Sequence, residues 1–149
     1  MLHCVSHKKL SKSSYPWADK LVFYVLAPFY GQTWNTFYYH HVKHHHIEDN
    51  GPLDLSSTIW YDRDNWVHFL IYFSRFYFLI GVELPAYFVK KGKIQWAVNV
   101  FAGEFLTHFF YASIFWVCNN PLSVFFAWYM PLNFSRIGMM TGKFLFGRL

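Results

Sequence analysis

The chain has few cysteines and few charged residues. Its two cysteines, Cys4 and Cys118, are too few for a disulfide-stapled secreted domain. Charged residues make up 14% of the 149 residues, whereas soluble domains carry about 25%. With 54% hydrophobic and 24% aromatic residues, the chain is also excluded from the disordered class. The composition leaves a soluble protein with an unusually aromatic core, or a membrane protein.

The formal net charge of +5 raises the question of an acidic partner. The basic residues are scattered and form no Lys/Arg stripe, so we expect no nucleic-acid partner. A basic balance also suits a protein that lies against anionic lipid headgroups.

Two long apolar runs predict transmembrane helices. Trp66–Phe88 has 23 residues and Ile94–Cys118 has 25, and a hydrocarbon core takes about 20. Core helices of a soluble protein are the alternative. Two consecutive runs of this length are hard to bury in so small a core, so the membrane class is favoured.

The other apolar segments are interrupted or short. Lys20–Tyr39 contains Pro28 and Gly31, which predict a broken or interfacial helix. Leu122–Phe134 predicts either an interfacial helix or one end of a span completed by Ile137–Phe146. The expected fold is all-α, a membrane helical protein with two main transmembrane helices plus interfacial or broken helices.

Histidines are concentrated before the long runs. Residues 1–64 hold seven of the nine histidines, and residues 65–149 hold the predicted membrane helices. At 100° per residue of α-helix, four members of the cluster at 40–46 share one face, while His46 points elsewhere. Those four are His40, His41, His44 and His45. A second pair, His3 and His7, is four residues apart and also shares one helical face.

Many imidazoles with little carboxylate suit a transition metal better than magnesium or calcium. Five or six exceed what one tetrahedral zinc needs, so the excess predicts two metal ions. A nonspecific surface metal site is the alternative for the cluster alone. A membrane metal-transport protein is a further class, although transport would place ligands within the spans.

The order of these motifs resembles a known family. His3-x-x-x-His7, an intervening apolar segment, and His41-x-x-His44-His45 resemble the first two histidine boxes of the membrane fatty acid desaturases. The resemblance covers most of the chain, and the second box is its specific part.

The longer string from His41 to Gly51, with Asp54–Thr58 after it, resembles an uncharacterised desaturase-domain branch. The resemblance implies a cytosol-facing di-iron site over a helical membrane stem, in the endoplasmic reticulum or another internal membrane. The ligands that it implies are His3, His7, His41, His44 and His45.

The resemblance also implies a reaction and its partners. Such a protein desaturates a lipid acyl chain with O₂ and electrons from a cytochrome b5 or ferredoxin type donor. An unactivated C–H bond offers no handle for an acid or base, so the oxidising power must come from a metal centre. Lipid hydroxylation can use a similar site.

The family has a third box, again His-x-x-His-His, but nothing of that form follows His68 here, where only His108 remains. The sequence therefore indicates a fragment or a truncated member. The alternative to an enzyme is an inactive desaturase-like membrane protein that binds metal or a partner subunit.

Several polar residues have two possible roles. His40 is either an extra ligand or a hydrogen-bond partner of one. Glu104 and His108, four residues apart, either pair beneath the metals or form a structural hydrogen bond. Arg75 and Glu83, eight residues apart, are expected to form a structural pair or to extend their charged ends toward the membrane surface. Three acids follow the second box and either hydrogen-bond a ligand or face solvent: Glu48, Asp49 and Asp54.

The family's chemistry places both boxes on the cytosolic side. One span from Trp66 would then carry Lys90–Lys93 to the opposite side of the membrane, although the positive-inside rule favours cytosolic lysines. A re-entrant hairpin would remove this conflict.

Overall fold

The computed structural model describes residues 15–29 and 32–146. This part of the chain is 79% helical and contains no strand, which confirms the all-α prediction. The α-helices are Pro16–Leu21, Ala27–Phe29, Thr36–His40, His46–Glu48, Trp66–Lys90, Ile94–Cys118, Pro121–Val124 and Met130–Phe146. Three π-helical turns join some of them: Val22–Leu26, His41–His45 and Phe125–Tyr129.

The first long helix is Trp66–Lys90 and the second long helix is Ile94–Cys118. Asn65 caps the start of the first, because its side chain accepts a hydrogen bond from the backbone N–H of Val67 at 2.9 Å. The turn between the two helices contains Gly92, whose φ of 71° suits glycine. Both predicted runs are therefore helical, and the first extends two residues beyond Phe88.

Both long helices are long and apolar enough to cross a membrane. Only 22% of the most apolar window of each is buried within the described protein. Large side chains such as Phe78, Val82, Trp116 and Val117 are at least 69% exposed. An uncovered apolar surface of this extent fits lipid contact and does not fit core helices of a soluble protein.

The third long helix is helical without interruption from residue 121 to 146. Asn120 caps it by accepting hydrogen bonds from the backbone of Leu122 and Ser123. A π turn immediately precedes the segment that contains Pro131, which has no N–H to donate. Leu122–Phe134 thus continues into Ile137–Phe146 as one helix.

The segment before the histidine cluster docks on the second long helix. Trp34 donates its backbone N–H to Thr107 Oγ1 at 3.0 Å, and Thr33 donates to Glu104 Oε1 at 2.6 Å. A Cβ atom on Gly103 would lie 1.8 Å from the Trp34 carbonyl oxygen, so only glycine permits this approach. In the described residues, one helical segment ends at Phe29, residues 32–35 are not helical, and the next helix begins at Thr36. This confirms a broken helix.

A stripe on the first long helix forms the core, with members four residues apart. They are Tyr72, Phe76, Ile80, Leu84 and Phe88. The stripe packs against Ala97 and Val100 of the second long helix and against Met140 and Phe144 of the third. The histidine cluster lies on this stripe, because the rings of His40 and Phe76 are 4.9 Å apart.

Candidate functional site

The histidine helix comprises residues 36–48 and contains the π turn His41–His45. A π turn is closed by i→i+5 hydrogen bonds, which bring residues five apart into line. His46 Nε2 therefore lies 3.2 Å from His41 Nε2, and the two ring centroids are 4.5 Å apart. The expectation that His46 points away from the other histidines is wrong, because it assumed the α-helical rotation throughout.

His40 and His44 form the buried side of the cluster. His44 has no exposed surface and its ring is 4.3 Å from that of Tyr87, on the first long helix. Burial lowers the pKa of both imidazoles, that of His44 to about 4. Both rings are therefore neutral near pH 7, which is the form that binds metal ions.

Two nitrogens of this pair are unsatisfied within the described part of the chain. His40 Nε2 and His44 Nδ1 are buried and have no hydrogen-bond partner there. The other nitrogen of His44, Nε2, accepts the backbone N–H of Leu55 at 3.3 Å. Because Nε2 accepts, the proton of the neutral His44 ring lies on Nδ1, which could bind a metal ion only in the other tautomer, without the bond from Leu55. Buried polar atoms are rarely left unpaired, so a polar partner is expected at both nitrogens.

His45 is held by a carboxylate. Its Nδ1 lies 2.6 Å from Asp54 Oδ2, and the Asp54 side chain is completely buried. Burial would raise the pKa of Asp54, but the hydrogen bond with His45 and the charge of Lys143 outweigh burial and lower it. The carboxyl group is therefore ionised.

Lys143, on the third long helix, completes this group. Its Nζ lies 3.2 Å from Asp54 Oδ2 and also donates to Ser56 Oγ. The order of residues along the chain gave no signal for this lysine, because its partners are nearly 90 residues away. The sequence had named Asp54 only as one of three acids with an undecided role.

Glu48 ties the end of the histidine helix to the first long helix. Tyr87 donates its hydroxyl to Glu48 Oε1, and Lys91 Nζ lies 3.1 Å from the same oxygen. The hydrogen bond from Tyr87 is the main reason why the pKa of Glu48 is lowered. The carboxylate thus fixes the second box beside the turn that contains Lys90–Lys93.

This contact bears on the expected topology. The sequence left two arrangements open, one span that carries Lys90–Lys93 away from the histidine boxes or a re-entrant hairpin, and the ion pair between Lys91 and Glu48 places the end of the histidine helix beside those lysines. The histidine helix lies alongside the first long helix, between Phe76 and Tyr87, and not beyond the end that begins at Trp66.

The remaining candidates lie elsewhere. His3 and His7 are outside the described residues. Glu104 accepts from Thr33, while His108 is exposed, with its Nδ1 2.8 Å from the Glu104 backbone oxygen and its ring 6.1 Å from that of Trp128. A hydrogen bond between the two side chains is not formed, since His108 Nδ1 is 3.9 Å from Glu104 Oε2.

The expected pair in the first long helix is present. Arg75 Nη2 lies 3.3 Å from Glu83 Oε1, and Arg75 Nε lies at the same distance from that oxygen. Of the two alternatives that the sequence left, the contact supports the structural pair.

The donor set fits a transition metal in its chemistry. Within the described residues, no three His, Cys, Asp or Glu side chains are arranged to hold a metal ion. Neutral imidazoles, one of them held by a carboxylate, are nevertheless the kind of ligand that such a metal prefers. The described residues therefore provide suitable donors without a complete coordination sphere.

Comparison with protein families gives a match to the model for fatty acid desaturases over residues 1–145. Neither the comparison with curated proteins nor that with solved structures gives a match. The matched region includes the histidine helix and nearly all of the three long helices. Since it covers almost the whole sequence, the chain belongs to the fatty acid desaturase family.

Proposed function

We propose that this chain carries the histidine-rich and membrane portions of an iron-dependent lipid desaturase. The observation that carries the proposal is the buried pair His40 and His44, with two unpaired nitrogens, packed on the aromatic stripe of an apolar helix. Family membership supplies the class of substrate, a lipid acyl chain, and the use of O₂.

Iron would be held by the histidines of the two boxes: His3, His7, His41, His44 and His45, with His40 as an extra ligand. Bound iron supplies the O₂-dependent oxidising power that removes hydrogen from an unactivated acyl chain. Two irons are expected in a complete site. Glu104 and His108 are assigned a structural role, because Thr33 and Trp128 are their neighbours.

The chain's own residues prepare the site for this reaction. Phe76 and Tyr87 cover the buried faces of His40 and His44 and exclude water from them. Asp54 orients His45, and Glu48 fixes the end of the histidine helix. The apolar faces of the long helices offer an acyl chain a surface as apolar as lipid.

Residues 1–64 would form the metal-binding portion and residues 65–149 the membrane portion. The second box would face the cytosol of the endoplasmic reticulum or another internal membrane, and a cytochrome b5 or ferredoxin type protein would supply electrons. The lysines at 90, 91 and 93 support this orientation, because they lie at the same end as the second box.

Metal content and lipid composition test the proposal. Protein purified in detergent should contain iron, and cells that express it should accumulate unsaturated acyl chains. His44→Ala should abolish both, whereas His68→Ala should not, because His68 lies near Asp62 and away from the cluster. Protein that binds only zinc or no metal, in cells with unchanged lipids, would refute it.

An inactive metal-binding or partner-binding protein is the second candidate. It is favoured by the lack of a three-ligand group within the described residues. Iron binding that depends on His44, without any new unsaturated or hydroxylated lipid in the presence of an electron donor, would support it. A hydroxylated lipid product would instead assign the protein to the lipid hydroxylases.

A further inference from the structure

We propose that Asp54 and Lys143 fix the tautomer and orientation of His45, so that its Nε2 lone pair is the one available to a metal ion. Asp54 is the positioning residue, and Lys143 holds Asp54 in place from the third long helix. The role of the lone pair rests on the proposed function, whereas the tautomer can be measured without any metal.

The hydrogen bond between His45 and Asp54 determines where the imidazole proton lies. His45 Nδ1 is 2.6 Å from Asp54 Oδ2, and an ionised carboxylate can only accept. A neutral imidazole carries one proton, so a proton on Nδ1 leaves Nε2 with its lone pair. The opposite tautomer would place two lone pairs against each other at 2.6 Å.

The carboxylate of Asp54 is itself immobilised by the loop around it. Its Oδ1 accepts from the backbone N–H of Ser56 at 2.9 Å and from Ser56 Oγ at 2.8 Å. Its Oδ2 accepts from the backbone N–H of Asn50 at 3.2 Å. With the side chain completely buried, these bonds leave the carboxylate one position from which to hold His45.

Lys143 provides the opposite charge that a buried carboxylate needs. Its Nζ is 3.2 Å from Asp54 Oδ2 and donates to Ser56 Oγ. Nζ is also 3.0 Å from His45 Nδ1, but both atoms are donors in this tautomer, so the bonds of the ammonium go to the two oxygens. Without Lys143 the carboxylate would be a buried, uncompensated charge.

Nitrogen NMR of the metal-free protein tests the tautomer directly. In protein labelled with ¹⁵N-histidine, the His45 signals are identified by their loss in His45→Gln. The wild type should show an Nδ1-protonated ring, and Asp54→Asn should show a mixture, because an amide can either donate or accept. Asp64→Asn, at an exposed acid, is the matched control and should leave the spectrum unchanged. An Nε2-protonated ring in the wild type, or no change in Asp54→Asn, would overturn the proposal.

Titration with Fe²⁺ tests the consequence for metal binding. Asp54→Asn should raise the dissociation constant about 10- to 100-fold, while Asp64→Asn should not change it. An unchanged constant in Asp54→Asn would overturn the proposal. If the wild type binds no metal, the proposed function fails, and the NMR spectra still decide the tautomer.

Folding of the variants is checked by circular dichroism. If Asp54→Asn does not fold, Ser56→Ala replaces it, because that change removes one acceptor bond of Asp54 and leaves its charge. A smaller shift of the His45 tautomer toward the mixture is then expected. An identical spectrum in Ser56→Ala would count against the proposal.

Discussion

Replacement of Gly103 by alanine should destabilise the protein, although alanine is the better helix former. The added Cβ would lie 1.8 Å from the Trp34 carbonyl oxygen, whereas ordinary contact begins at 3.4 Å. Residues 33–35 must therefore move away from the second long helix by about 1.6 Å, the difference between those two distances. Gly103 lies on the second long helix where residues 33–35 pack against it, so the loop has to move and not the helix backbone.

The cost follows from the bonds that this movement breaks. Trp34 N to Thr107 Oγ1 would lengthen from 3.0 Å beyond hydrogen-bonding range, at about 1 kcal/mol. Thr33 would also release the carboxylate of Glu104, now 2.6 Å away, at about 1.5–3 kcal/mol. Alanine regains up to about 1 kcal/mol of helix propensity. The net loss is about 2 kcal/mol.

Thermal unfolding in detergent, followed by circular dichroism, measures this loss. A domain of this size should lose about 4–8 °C in Tm for that free energy. Gly138→Ala is the matched control, since it is also a helical glycine but has nothing within 4 Å of the added Cβ. Its Tm should be unchanged or higher. A Tm for Gly103→Ala at or above that of the wild type would refute the proposed close approach.

Three other perturbations test separate parts of the structure. The pKa of His44 is about 4 in the folded protein and 6.5 in the unfolded chain, so lowering the pH from 6.5 toward 4 should reduce the free energy of unfolding by up to about 1.4 kcal/mol per pH unit. In His44→Gln the Tm should depend less steeply on pH. An identical slope in the two proteins would contradict this role of His44. Tyr87→Phe should lower the free energy of unfolding, measured with denaturant, by about 1.5–3 kcal/mol, because Glu48 loses a hydrogen-bond donor. Tyr129→Phe, at an exposed tyrosine, should cause no measurable loss. Equal losses in the two variants would count against the contact between Tyr87 and Glu48. Arg75→Leu should lower the Tm in lipid, because Glu83 would be left without its partner on an apolar surface. The double variant Arg75→Leu/Glu83→Leu should restore the Tm. Equal Tm values for the two variants would argue that this face of the helix is in water.

The sequence was sufficient to predict the long helices and the position of the histidine cluster. Trp66–Phe88 and Ile94–Cys118 are continuous apolar runs that can be read directly from the sequence. Asn65 precedes the first run, and Gly92 lies between the two. The histidine cluster was also visible, because its five histidines lie within seven residues. These features are local, so periodicity and composition are enough to find them.

Contacts between distant residues could not be predicted in this way. Nothing near Lys143 in the sequence indicates that it meets Asp54, and nothing near Gly103 indicates that a loop backbone touches it. Such contacts depend on how the helices pack. Likewise, the sequence alone does not indicate that Glu48, at the end of the histidine helix, pairs with Lys91.

The π turn explains why the histidine cluster has two different sides. In an α-helical register His41 would lie above His45, and the ring centroids are indeed 5.9 Å apart. The i→i+5 register also brings His46 to 4.5 Å from His41, so these three rings form one group. His40 and His44 instead contact Phe76 and Tyr87 of the first long helix. The cluster therefore has one side packed on the first long helix, where two ring nitrogens remain unpaired within the described residues, and another side formed by His41, His45 and His46.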